Sequence, residues 1–267
     1  MVAIGPHDHG GYVELTRGTT GMGTEEIARA QGSRNAEIAA RYGDVPAPEG
    51  PIRNVIFDFG EVLVHWDPAG PLSARYTPEV IDRFRDNAVS GFDDANAISD
   101  SGHSLKAAAG EMDTHDPFWG AMMRFYLERF DQSLMGEIPG ARQLISDLHR
   151  AGYKCWGLSN WSPENFHWVP ERYPIIRELD GYLVSGFVHR IKPNQDIFDL
   201  ARERFGITAG SSVFIDDKPG NVEAARSFGF GGIVQKTPWQ VRGELRAMGV
   251  RVPALIGPGD LSRRPED

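Results

Sequence analysis

The hydrophobic positions of this chain fall into two rhythms. Short unbroken runs, rich in β-branched and aromatic residues, occur at Val55-Ile56-Phe57, Cys155-Trp156-Gly157-Leu158, Tyr182-Leu183-Val184-Ser185, Ser212-Val213-Phe214-Ile215 and Gly232-Ile233-Val234. Continuous rather than alternating hydrophobicity marks strands that helices cover on both faces, as in a parallel sheet. Between these runs, apolar residues recur at helical spacing. Ala141, Leu144, Ile145 and Leu148 form one such series, ending near Ala151-Gly152. Ile197, Phe198, Leu200, Ala201 and Phe205 form another, stopped by Gly206, and a third opens at Asn221-Val222 and closes at Gly229. Strand and helix alternating at this length predict an α/β protein: a Rossmann-like, doubly wound parallel sheet with right-handed crossovers.

The rhythm changes between the first and second runs. From about residue 70 to 135 the pattern is helical, with no strand-like segment, so this stretch reads as an all-helical insertion. Val80, Ile81, Phe84 and the following Asn87-Ala88 make one amphipathic segment. Phe118, Trp119, Met122, Met123, Phe125, Tyr126 and Phe130 make another, whose heavy aromatic and Met face is expected to be helix–helix core, with part of it free to line a pocket. Residues 1–50 differ again. Thr24 caps a helix that runs toward Tyr42, bending at Gly32-Ser33, and a Pro- and Gly-rich linker follows. This arm is expected either to pack on the core or to mediate self-association as a homodimer. The tail after about residue 253 is rich in Pro, Gly and charge and is expected to fray.

Composition narrows the function classes. At 267 residues the chain can hold one large domain or a core with an inserted smaller one. A net charge of −9 argues against a nucleic-acid partner, because counterion release needs clustered Lys and Arg. It also repels an anionic substrate unless local cations or a metal reverse the field. Cys155 is the single cysteine, which excludes an intrachain disulfide and disfavours a Cys-based zinc site; within a strand it reads as a core residue. His7 and His9 have metal-like spacing but lie in a polar tail and read as solvated. No basic leader with an apolar core and no bilayer-length stretch are visible, so the expectation is a cytoplasmic protein without a membrane partner.

Polar clusters stand where strands end or helices begin: Asp58, Ser159-Asn160, Lys192 and Asp216-Asp217. Each has an ordinary reading by itself, as a helix cap, a loop or a turn. In open α/β sheets, however, the carboxyl ends of strands border one crevice, where ligands bind. Together the clusters point to convergence on one crevice, with Asp58 a candidate nucleophile or metal ligand.

These clusters resemble, in order, the four motifs of the haloacid dehalogenase-like (HAD) hydrolase superfamily. They are Phe57-Asp58-Phe59-Gly60-Glu61-Val62-Leu63, Gly157-Leu158-Ser159-Asn160, Ile191-Lys192-Pro193, and Phe214-Ile215-Asp216-Asp217 with Asn221. Each motif is weak alone, and the ordered set is strong. With the sheet pattern, the match spans roughly residues 52–250. The resemblance implies a core of residues 51–66 and 137–252, a helical cap of residues 67–136, an extension of residues 1–50 and a tail of residues 253–267. It implies that Asp58 attacks phosphorus to form an aspartyl-phosphate. It further implies Mg2+ held by Asp58, the Gly60 carbonyl and Asp216 or Asp217, with Ser159, Asn160 and Lys192 around the phosphoryl oxygens. Trp161, His65 and Trp66 lie nearby in sequence; packing is their first expected role and substrate contact the second.

One position departs from the family pattern. Phosphatases of this superfamily carry an Asp two residues after the nucleophile as general acid, and here that position is Gly60. Haloacid dehalogenases share the absence but generally lack the paired acids of the fourth motif, which this chain keeps. The resemblance therefore implies a magnesium phosphatase of a small phosphorylated metabolite, similar to capped α-glucose-1-phosphate phosphatases. A missing acid favours acidic leaving groups such as anomeric sugar 1-phosphates, or Glu61 acting as the substitute acid. The alternatives are a 2-haloacid dehalogenase-type hydrolase and a non-catalytic binding protein of the same fold.

Overall fold

In chain order the strands are β1 (Asn54–Phe57), β2 (Val64–Trp66), β3 (Leu134–Glu137), β4 (Lys154–Ser159), β5 (Gly181–Val184), β6 (Ser212–Asp216) and β7 (Gly231–Val234). They come from a computed structural model, which describes residues 50–255 together with Ala36 and residues 40–43. Five of them form a parallel sheet in the order β5-β4-β1-β6-β7. β1 is central, with Ile56 beside Trp156 on one flank and Phe214 on the other. Its residues alternate between two cores. Val55 and Phe57 pack into one layer and Ile56 into the other. Both faces are covered, which is why the strand reads as an unbroken apolar run.

The helices that the apolar spacing predicts are present at Ala141–Arg150, Gln195–Phe205 and Pro219–Ser227. A further helix, Pro238–Ala247, had no counterpart in the sequence reading. Its signal is a capping box, with Thr237 accepting from the Gln240 amide while the Gln240 side chain returns to the cap. No helix among the described residues is long and apolar enough to cross a membrane.

Gly157 of β4 is the tight point of the sheet. A Cβ there would lie 2.5 Å and 2.7 Å from the Phe59 ring and 2.8 Å from Tyr182 Cβ. Phe59 cannot swing aside, because its ring stacks on Phe166 at 5.8 Å and meets Tyr182 edge-on at 5.9 Å. Gly157→Ala is therefore expected to cost about 1–3 kcal/mol, read as a lower midpoint in urea. An unchanged midpoint would mean that the ring packing is looser than these distances.

The insertion is helical and has its own core, including Leu72, Ile81, Phe84, Phe92, Met112, Trp119, Met122 and Tyr126. Two details differ from the sequence reading. The segment read as one helix from Val80 to Ala88 is two, Pro78–Arg85 and Asn87–Ser90. Asp86 takes an extended backbone between them, and its carboxylate accepts from the Ala88 amide at 3.0 Å. The last residues of the region assigned to the cap are also not helical. Leu134–Glu137 form β3, antiparallel to β2, and make a two-stranded stem beneath the cap. Four residues that include Gly136 carry too little alternation to announce a strand; β2 supplies the order.

Arg41 and Tyr42, at the described end of the N-terminal arm, touch the core. Tyr42 packs on the His149 ring at 5.4 Å, and Arg41 lies 3.6 Å from Glu178. Ala36 and residues 40–42 are helical, as expected for the arm. The Thr24 cap, the His7 and His9 pair, the linker over residues 44–49 and the tail beyond residue 255 lie outside the described residues. Cys155 is fully buried in the core, and burial pushes its thiol well above the ordinary range.

Candidate active site

β1 delivers Asp58 to the carboxyl edge of the sheet. The Asp58 amide still pairs with the Ile215 carbonyl of β6 at 2.9 Å, and the Asp58 carboxylate turns back to accept from the Phe59 amide at 2.7 Å. The chain then reverses in a tight flap. The Leu63 and Val64 amides return to the Phe59 carbonyl at 2.8 Å and 2.9 Å, and Glu61 takes a left-handed backbone with φ of 55°. Gln235, just past β7, locks this flap by donating to the Glu61 and Val62 carbonyls at 2.9 Å and 3.0 Å. Sequence reasoning missed Gln235, for which no motif exists.

Lys192 sits below, with its side chain fully buried. Its Nζ lies 3.0 Å from Asp58 Oδ1 and 2.6 Å from Asp216 Oδ2. Asn160 fixes it through the backbone, accepting from the Lys192 amide at 2.9 Å and donating to the Lys192 carbonyl at 3.0 Å. Asn160, expected at the phosphate, thus spends both halves of its amide on holding Lys192, although it still borders the cleft. Ser159, at the end of β4, is buried and hydrogen-bonds to Asp58.

Asp216 and Asp217, adjacent in sequence, occupy different environments. Asp216 is fully buried, and its carboxylate accepts from the Lys218 amide at 2.8 Å and from the Asn221 amide at 3.1 Å and 3.0 Å, besides Lys192. Asp217 is partly exposed and opens to the cleft. Ligand oxygens of Asp58, Asp216 and Asp217 all lie within 4.8 Å of one another.

The protonation states follow from this crowding. Burial pushes Asp58 up to about 7; Lys192 opposes the rise, while Asp216 and Asp217 add to it. Burial and the neighbouring Asp216 also raise Asp217. For Asp216 burial acts upward, but Lys192 outweighs it and holds the carboxyl below its ordinary value. Lys192 is raised: burial alone would lower it, and Asp216 and Asp58 overcome that. Three carboxylates outnumber the two ammonium groups that act on them, Lys192 and Lys218, so the cluster carries an excess of negative charge when its acids are ionised. The oxygen-rich donor set and that charge suit a hard divalent cation.

The cleft over this cluster opens to solvent. The core lines its floor, and Asn96, Ser99, Asp100, Tyr126, Leu127 and Phe130 line it from the cap side. Gly60, Glu61, Trp66 and Trp161 also reach it. Trp66 is pinned by its indole N–H to the Tyr126 hydroxyl at 3.0 Å, while the buried Trp161 indole N–H has no partner among the described residues. His65 points away toward solvent and holds Glu61 Oε1 at 2.7 Å; the Trp66 amide donates to the same oxygen at 2.5 Å. A Cβ at Gly60 would meet nothing within 4 Å, so packing does not demand glycine there.

A family model for haloacid dehalogenase-like hydrolases matches residues 52–229, well over half of the chain. The chain belongs to this family. As a HAD-like hydrolase it has the expected α/β core with a helical insertion after the first motif. Haloacetate dehalogenase H-2 of Moraxella sp. (strain B) is 26% identical over 136 residues, covering 51% of this chain and 56% of that one. Sesquiterpene phosphatase astK of Aspergillus oryzae is 27% identical over 97 residues, covering 36% of this chain and 50% of that one. The chain spans between 34% and 56% of the length of such curated relatives. A HAD family enzyme from Bacteroides thetaiotaomicron, solved as a magnesium complex, shares the fold with a TM-score of 0.53 at 20% identity, over 70% of this chain and 95% of that one. Relatives named for dehalogenation and for phosphate removal thus both lie within reach.

Proposed function

We propose that this HAD-like hydrolase is a magnesium-dependent phosphomonoesterase acting on a small phosphorylated metabolite through an aspartyl-phosphate. The observation that carries the proposal is the convergence of Asp58, Asp216 and Asp217, with carboxylate oxygens within 4.8 Å of one another, beside the buried ammonium of Lys192. Haloacid dehalogenases generally lack the paired acids that end the fourth motif, which this chain keeps as Asp216 and Asp217. A phosphatase needs a cation to bring a carboxylate and a phosphate dianion together. Asp58, the Gly60 carbonyl and Asp217 would hold Mg2+, with Asp216 behind them, and the ion would neutralise charge on the phosphoryl group.

The chain's own groups would then perform two displacements. In the first, an Asp58 carboxylate oxygen attacks phosphorus as the ester P–O bond breaks and its electron pair leaves with the alcohol oxygen. In the second, water attacks phosphorus, the bond to Asp58 breaks, and inorganic phosphate leaves. Lys192 orients the Asp58 carboxylate throughout and, with Ser159, stabilises negative charge on the phosphoryl oxygens. Asn160 acts by holding Lys192, and Trp161 and Trp66 wall the cleft against water.

The test uses p-nitrophenyl phosphate. Turnover with Mg2+ that EDTA abolishes and added Mg2+ restores is the expected result. Chloride release from 2-chloropropionate, unaffected by EDTA and without phosphatase activity, would establish the dehalogenase reading instead. Lack of turnover on either substrate and across a metabolite phosphate panel would favour a binding protein of this fold.

A further inference from the structure

With Gly60 at the usual acid position, the first displacement has no motif residue to protonate the leaving alcohol. Four carboxylates line the cleft: Asp58, Glu61, Asp100 and Asp217. Asp58 is the nucleophile and Asp217 faces it across the charge cluster. Glu61 is committed within its own flap, where Oε1 accepts from Trp66 N and pairs with His65. Asp100 remains.

Asp100 is the last residue of the cap helix Phe92–Asp100. Its carboxyl group enters none of the hydrogen bonds found among the described residues, although it is half-buried at the cleft. A carboxylate at a helix C-terminus faces the negative end of the helix dipole, which favours the neutral acid. Burial pushes Asp100 up to about 7, against the pull of Lys218 and Lys192. An acid of that strength carries a proton at neutral pH and can part with it.

The turn that carries Asp100 is seated on the core. The Ser185 hydroxyl donates to the Asp100 carbonyl at 2.5 Å and itself accepts from the Trp161 amide at 3.0 Å. His189 Nδ1 lies 3.0 Å from the Ser101 carbonyl, and Glu164 accepts from the Leu105 amide at 3.1 Å. Gly102, with φ of +92°, packs so closely that a Cβ would lie 2.5 Å from the Gly186 carbonyl oxygen. These contacts come from the loops that follow β4 and β5, the same loops that border the catalytic cluster. The cap therefore presents Asp100 at a fixed height over the site.

We propose that Asp100 is the proton donor to the leaving group, supplied from the cap in place of the acid that Gly60 lacks. The proposal rests on the phosphomonoesterase reading. As the P–O bond of the ester breaks, the Asp100 O–H passes its proton to the departing oxygen, so a neutral alcohol leaves and Asp100 becomes a carboxylate. In the second displacement that carboxylate takes a proton from the attacking water. The Asp58–phosphorus bond breaks with its electron pair returning to Asp58, and both acids regain their starting forms. Leaving groups as basic as ordinary alcohols then fall within range, beyond the anomeric phosphates that a missing acid alone would favour.

The test compares Asp100→Asn and Asp100→Ala with wild type, in Mg2+, on p-nitrophenyl phosphate and on a primary alkyl phosphate. A donor is expected to matter for the basic leaving group and little for p-nitrophenolate, so kcat/KM should fall about 10²–10⁴-fold on the alkyl ester and less than about tenfold on the aryl ester. In wild type the alkyl-ester activity should decline as pH rises through about 7, and both variants should lack that limb. The other titratable groups around Asp100 are Lys218, Lys192, Asp58, Asp217, Glu61 and Tyr126, with His189 and Glu164 under its turn. A limb owed to any of them would persist in the variants. Equal losses on both esters, no loss, or a persisting limb would overturn the assignment of Asp100 while leaving the phosphatase reading intact. A wild-type protein inert on every ester would overturn that reading and this proposal with it.

Discussion

Replacing Asp58 with Asn is expected to lower phosphate-ester turnover on the order of 10⁴-fold or more while leaving the protein folded. Loss of a nucleophile removes the covalent route outright, and residual rate then comes only from binding and electrostatics. Asn has the shape of Asp, so the β1 edge and the Phe59 amide contact can persist. The electrostatic effect on folding runs opposite to the effect on activity. Burial, Asp216 and Asp217 all act against a charged Asp58, while Lys192, Ser159 and the Phe59 amide support it. A neutral amide removes one of three crowded acids, and Lys192 keeps its 2.6 Å contact with Asp216. In EDTA the variant should therefore melt at or above the wild-type temperature, with activity abolished. Activity within tenfold of wild type would remove Asp58 from the mechanism. A collapsed melting temperature would mean that its charge is structural.

That opposition between stability and chemistry bears on what the sequence could reveal. Strands buried on both faces announce themselves, because Val55, Ile56 and Phe57 have no solvent side to make polar. The four polar clusters were legible for a related reason: each interrupts an apolar strand or opens a helix at the sheet's carboxyl edge, where a fold of this kind converges. Pairings that depend on tertiary contact were not legible. Asp216 and Asp217 are indistinguishable as neighbours in a chain, yet one is sealed beneath Lys192 and Asn221 while the other meets the cleft. Asn160 carries the same amide whether it binds phosphate or clamps Lys192, and only the fold shows the clamp. Ser99-Asp100-Ser101-Gly102 reads as an ordinary helix end. Its seat on Ser185 and His189, more than eighty positions away, brings the carboxyl group to the site.

Lys192→Met is the second variant with a large expected effect, and it strikes stability as well as rate. Met keeps much of the length and apolar volume of the buried stem, so packing changes little. The charge balance does change, because the ammonium lies between Asp58 and Asp216 with its side chain fully buried. Deleting one partner of such a network leaves uncompensated buried charge and is expected to cost about 3–5 kcal/mol at neutral pH, a fall in Tm of roughly 10 °C for a chain of this size. The pH dependence has a definite sign. In wild type, Asp216 is held below its ordinary value, so its contribution is present above the unfolded carboxyl range and fades as acid titrates the folded form. Lys192 is held above its ordinary value, so its contribution is present below the unfolded amine range and fades only as pH rises through the folded value. The Lys192–Asp216 pair is therefore intact across neutral pH, while Asp58, pushed up to about 7, takes up its proton as pH falls through that value. Without Lys192, the carboxylates of Asp58 and Asp216 rise together and take up protons on folding, so acid relieves the defect. Melting curves in EDTA from pH 5 to 8 should show a gap between variant and wild type that is widest at pH 8 and narrows toward pH 5. A gap that is constant across this range would assign the loss to the contact of the ammonium with the Phe214 ring, 5.2 Å from its centroid, rather than to its pairing with the carboxylates.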